Sequence, residues 1–221
     1  LLLILALAAV GCSSGDDDDF RSYRVSVTNL THNQPMSPAA VALHGAGARG
    51  WETGAGATAG LEELAEGGRA SPFLAEAGSD PGVFATAAGS GAFGPGRAAE
   101  VTLGTFEPGP LYVTVASMLV NTNDAFTGIT ARRVSGLAVD ASWSAMVPAY
   151  DAGTEANSEA AATIPGPAAG GEGFNPVRDD RDFVTLHPGV VTVDDGLATS
   201  VLRETHRWDN PVARITVTRT E

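Results

Sequence analysis

The stretch Leu111-Tyr-Val-Thr-Val-Ala-Ser-Met-Leu-Val-Asn-Thr-Asn-Asp124 decides how the chain is read. Leu111, Val113 and Val115 alternate with Tyr112, Thr114 and Ala116, the period-two pattern of a strand, and the run stays apolar through Val120. At Asn121 the apolar run stops, and a polar tetrad ending in Asp124 follows at the strand's end. Downstream, Tyr150-Asp-Ala-Gly-Thr-Glu155 sets Asp151 and Glu155 four residues apart, with Gly153 between them to allow a tight bend. Three carboxylates on two loops, Asp124, Asp151 and Glu155, with amide and hydroxyl oxygens beside them, suit a hard cation such as calcium. Spacing alone leaves a second reading open, two solvated turns, because Asn, Asp, Gly and Thr are common turn residues.

Outward from this strand the pattern stays β. Tyr23, Val25 and Val27 alternate with polar residues up to Asn29, and Ala213, Ile215 and Val217 form one apolar face near the end of the sequence. Glu100 to Phe106 alternates as well, and Glu107-Pro-Gly-Pro110 turns it into the central strand, a meander signature. Gly60 to Gly67 fits a short helix with Leu61, Leu64 and Ala65 on one face, stopped by Gly67-Gly68. Ser71 as cap, Pro72 in the first turn and Gly78 beyond the end mark another. Residues 82–96 read as turns, 129–139 as a strand-like connector with Leu137, Val139 and Trp143 buried, and 156–176 as a long surface loop. Short strands are expected at 182–186 and 190–193.

Composition bounds the function. The 221 residues suit one all-β domain, and 43% hydrophobic with only 6% aromatic residues implies a core of small side chains. Twenty-six acidic against 13 basic residues give a formal charge of −13, which argues against nucleic acid as a partner and for cation attraction. Residues 1–11 read as a signal peptide that has lost its charged start, since the apolar run Leu1–Val10 is too short for a spanning helix of about 20 residues. Small residues before the single Cys12 resemble a bacterial lipoprotein cleavage site, with Cys12 as the lipidated residue and Asp16 to Asp19 completing an acidic tether over 12–19. Ser13, by resemblance to lipoprotein sorting, fits the outer membrane, periplasmic or surface-facing.

Residues 20–221 resemble the spondin N-terminal domain (the F-spondin and mindin type) in its bacterial form. The resemblance rests on Ser117-Met118, on Asn123, Asp124 and Phe126, on Tyr150-Asp-Ala-Gly-Thr-Glu155, and on the final segment Trp208 to Arg219. Ala125 stands where the family usually has an aromatic residue, and Tyr150 where it has Trp; both are packing positions. The resemblance implies an antiparallel β-sandwich, C2-like, of about eight strands with one or two short covering helices. It also implies one calcium ion held by Asp124, Asp151 and Glu155, with Asn123 and Thr154 as candidate further contacts.

No enzymatic motif competes strongly. The histidines at 32, 44, 187 and 206 are not at metal-motif spacing, His187 reads as a structural hydrogen-bonding residue, and Ser117 lies in no nucleophile elbow. The expectation is a non-enzymatic, lipid-anchored envelope or cell-surface module for recognition or adhesion, meeting a surface protein or glycan. The alternatives are a structural envelope protein with a purely structural metal, and a carboxylate-based glycan hydrolase. Full-length protein should partition into detergent with acyl groups on Cys12; mass spectrometry finding Cys12 unmodified removes the anchor.

Overall fold

The computed structural model describes residues 20–221. The expected signal segment 1–11, Cys12 and the acidic run through Asp19 lie outside the described residues. Ten strands form two antiparallel sheets, which is the sandwich expected, with two more strands than the sequence suggested. One sheet has four strands: β4 (Ala98–Thr105), β1 (Arg21–Asn29), β10 (Ala213–Arg219) and β7 (Ser142–Val147), in that order. The other has six, in the order β3 (Val83–Ala88), β2 (Ala40–His44), β5 (Tyr112–Met118), β6 (Ala125–Arg133), β8 (Ala149–Asp151) and β9 (Thr185–Leu186).

Alternation explains the layering. Tyr23, Val25 and Val27 of β1, Ile215 and Val217 of β10, Val41 and Leu43 of β2, and Val113 and Val115 of β5 share one buried cluster between the sheets. The opposite face of the six-stranded sheet is also apolar, through Ala40, Ala116 and Phe126, and needs a second cover. Helices α1 (Ala59–Gly67) and α2 (Ala70–Gly78) supply it with Leu61, Leu64, Phe73 and Leu74. Three layers result. The α1 boundaries follow the local chemistry: the Thr58 hydroxyl accepts the Leu61 N–H at 3.2 Å, and Gly68 closes the helix at φ 64°.

The sequence misplaced several elements. Ser71 does not cap α2, which starts at Ala70 after an Arg69 that makes no side-chain cap bond; burial of Phe73 and Leu74 sets that start instead. The turn-rich reading of 82–96 hid β3, an alanine-rich edge strand with little apolar signal that pairs with β2. Val139 is 51% exposed rather than buried. Within the expected strands 182–186 and 190–193, only Thr185–Leu186 pairs; Val190 instead joins Ile164 and Leu202 in a small third cluster. Ile164 is fully buried, so the 156–176 segment is a packed loop and not a surface one.

Strands β1 and β10 run antiparallel from Tyr23 opposite Arg219 to Asn29 opposite Ala213. Ile215 therefore sits on an internal strand, fully buried. Ile215→Asp should cost about 4 kcal/mol or more, as an unpaired charge in the core, whereas Thr102→Ala on the exposed face should stay within about 0.5 kcal/mol. Urea unfolding of the two variants checks this contrast.

Candidate functional site

The polar tetrad forms a tight turn between β5 and β6, and the structure buries all four of its residues. The Thr122 hydroxyl donates to the Leu119 carbonyl at 2.6 Å and accepts the Ala125 N–H at 3.1 Å, which shapes the turn. Asn121 is held from the segment that connects β1 to β2 across the two sheets: its N–H donates to Gln34 Oε1 (3.2 Å), and Gln34 Nε2 donates back to its carbonyl (3.3 Å). Asn123 clamps the packed loop, donating to Thr163 Oγ1 at 2.8 Å and accepting the Glu159 N–H at 3.2 Å. These are not solvated turns.

Asp124 closes the turn with no exposed surface. The neighbouring β8 pairs Asp151 with Ala125, after which Gly153 bends the chain at φ 72°. A Cβ there would lie 2.4 Å from the Phe183 carbonyl oxygen, so both the torsion and the space require glycine. The bend aims two backbone donors at one oxygen: Thr154 N–H and Glu155 N–H reach Asp124 Oδ2 at 2.9 and 3.3 Å. The Thr154 hydroxyl adds a longer contact at 3.4 Å.

The other half of the site is unsatisfied. Asp124 Oδ1, Glu155 Oε2 and Glu66 Oε1 are buried without a hydrogen-bond partner. Glu66 was not foreseen. It lies in the last turn of α1, only 1% exposed, with Oε2 accepting the Asn175 N–H at 2.8 Å. Its one available signal was Glu62 four residues earlier, an acid pair beside the apolar stripe; Glu62 is neutralised by Arg178 at 2.6 Å, and among the described residues Glu66 has no ion-pair contact.

Electrostatics agree with the crowding. Burial, then the nearby Asp151 charge, pushes the Asp124 carboxyl up to about 7. Burial, then Glu66, pushes Glu155 up to about 8, with Asn123 partly offsetting the rise. Glu66 itself is raised, chiefly by burial.

Asp151 is placed differently from the other two expected ligands. Its Oδ1 accepts the Gly153 N–H at 2.8 Å, while Oδ2 accepts from Asn157 Nδ2 at 2.8 Å and Arg181 at 3.3 Å. Among the described residues, no three His, Cys, Asp or Glu side chains form a ready-made metal-holding group. Asn123 and Thr154 also have their oxygens engaged, as above. His187 is structural in kind: Nε2 faces Asn157 Oδ1 at 3.1 Å, Nδ1 accepts the Gly189 N–H at 3.0 Å, and burial holds its pKa down at about 4.

The raised carboxyls have a thermodynamic consequence. The folded protein keeps protons on Asp124 and Glu155 that the unfolded chain has already released, so their stabilisation is full below about pH 4 and is lost as pH rises towards about 8. In chelator, the denaturation midpoint should fall from pH 5 to pH 8. Asp124→Asn, which keeps an acceptor for Thr154 and removes the charge, should flatten that fall. A wild-type midpoint unchanged over this range would contradict the buried-acid picture.

In comparisons with known proteins, no family model matches this chain and no curated protein matches it.

Proposed function

We propose that the chain is a non-enzymatic, lipid-anchored envelope module of the spondin type, with one calcium ion bound in the buried carboxylate cluster. The observation that carries the metal reading is the set of orphaned oxygens on Asp124, Glu155 and Glu66. Buried acids that repel one another lower their energy either by holding protons or by sharing a cation, and all-oxygen donors suit calcium. Asp124 and Glu155 would be direct ligands and Glu66 would approach from α1. Asp151, tied to Arg181, would shape the Gly153 bend rather than supply both of its oxygens. Backbone carbonyls and waters would complete the 6–8 oxygens that calcium takes.

The adhesion or recognition role rests on the resemblance of Tyr150 to Glu155 and of the final strand to the spondin domain. The all-β sandwich with short helices agrees with it. The hydrolase alternative is disfavoured, because Asp124, Asp151 and Glu155, at 0%, 0% and 7% exposure, leave a sugar no access to them.

Calcium titration in melting experiments tests the metal. At free calcium about 100 times the dissociation constant, the gain over chelator should be about 2.7 kcal/mol. Asp124→Asn should be more stable than wild type at pH 8 in chelator and less stable in calcium, a crossing that a purely structural acid cluster does not produce. Magnesium should do less, since it demands octahedral geometry and dehydrates reluctantly. Equal wild-type midpoints in calcium and chelator would remove the metal.

A further inference from the structure

The open edge between the two sheets, opposite in character to the acidic cluster, carries a separate inference. β8 covers only Ala125 to Thr127 of β6, so the second half of β6 has no neighbour on that side, and β7 is the outer strand of its own sheet. Between them lies an open cleft of about 520 Å³ lined by Arg132, Arg133, Val134, Gly136, Leu137 and Trp143.

A backbone irregularity builds this cleft. Val115 faces Ile129 across the sheet, but Val113 faces Arg132, so Thr130 and Ala131 together stand opposite Thr114. In a regular strand Arg132 would point to the helix-covered face. The extra residue rotates it to the side of Val113, between the sheets. Ala131 accommodates the bulge at φ 50°, a left-handed conformation that strains a non-glycine residue.

A buried relay holds it there. His44 Nδ1–H donates to the Gly45 carbonyl at 2.7 Å, leaving Nε2 to accept the Thr114 hydroxyl at 2.9 Å, whose oxygen accepts the Ala131 N–H at 3.0 Å.

The rotated Arg132 meets Trp143, which shares the inward side of Val217 on β10, with its guanidinium 4.2 Å from the ring centroid. Stacking fixes the guanidinium plane and leaves its in-plane donors available. Arg133, opposite Tyr112, leaves the strand on the other face and donates from Nε–H to the Ser135 hydroxyl at 3.3 Å. Arg219 holds the rim through the Leu137 carbonyl at 3.3 Å. Neither Arg132 nor Arg133 has a carboxylate partner among the described residues, and no acid lines the cleft, in a chain of net charge −13.

We propose that this cleft binds an acidic sugar, with Arg132 gripping its carboxylate and Trp143 and Leu137 receiving its apolar face. Guanidinium forks match carboxylates bidentately, and the volume lies in the range of roughly 300–1,000 Å³ typical of small-ligand sites. Long polyanions are disfavoured by the overall negative charge, so the ligand is a short oligosaccharide or a chain end. The proposal does not depend on the metal reading.

Full-length protein should be titrated by calorimetry with a galacturonic acid trisaccharide, a neutral galactose trisaccharide and inorganic phosphate, in both calcium and chelator. The acidic trisaccharide should bind at least tenfold more tightly than either other probe, and equally with and without calcium. Arg132→Gln and Trp143→Ala should each weaken it at least tenfold. Ala131→Gly, which keeps the left-handed turn, should bind like wild type, and melting curves should show each variant folded. No binding of the acidic trisaccharide, equal binding of the neutral one or of phosphate, or an unaffected folded Arg132→Gln would each overturn the proposal.

Discussion

A carboxylate without access to water has to be satisfied by the protein, and Asp124 is such a group. Two N–H groups can reach its Oδ2 only because the chain reverses at Gly153, and that reversal is set by β8 pairing alongside β6. The turn before Asp124 in turn needs Asn121 and Asn123 to hold the β1–β2 connection and the long loop against it. Four separate parts of the sequence thus converge on one side chain. The residual imbalance, an orphaned oxygen on each of three acids, makes the cluster a store of unfavourable energy that protons or a cation relieve.

The strands that were legible in the sequence are those with one wet and one dry face. β1, β4 and β10 alternate cleanly because each buries one side against the other sheet, whereas β5, buried on both faces, alternates only in residue type. β3 was not legible, since its alanines satisfy strand geometry without announcing it. The bulge in β6 could not be read from the chain either: Thr-Ala-Arg-Arg gives no glycine or asparagine to mark a left-handed residue.

Asp124 and Glu155 stood out because a turn motif placed them, whereas Glu66 looked like any acid on a helix. Only the fold brings Asn175 and its flanking loop over Glu66, and no local pattern encodes a cover that comes from more than a hundred residues away. Asp151 shows the reverse, a residue the motif singled out whose oxygens the local turn engages. Its spacing from Glu155 suggested a shared ligand, yet the same short spacing lets it bond its own turn, the usual local alternative for an Asp side chain.

The pairing of β1 with β10 bears on how the domain carries load. Arg21 and Arg219 lie at one pole of the four-stranded sheet, while Gln34 ties the Asn29 end to the Asn121 turn, placing the carboxylate cluster at the other. The nine residues of β1 separate these poles by about 30 Å. A pull applied at Arg21 against the cluster pole runs parallel to β1. Its ladders to β4 and β10 are then loaded in shear, all rungs together, instead of being peeled one rung at a time. Force along β1 between these two poles is thus shared by both of its ladders at once.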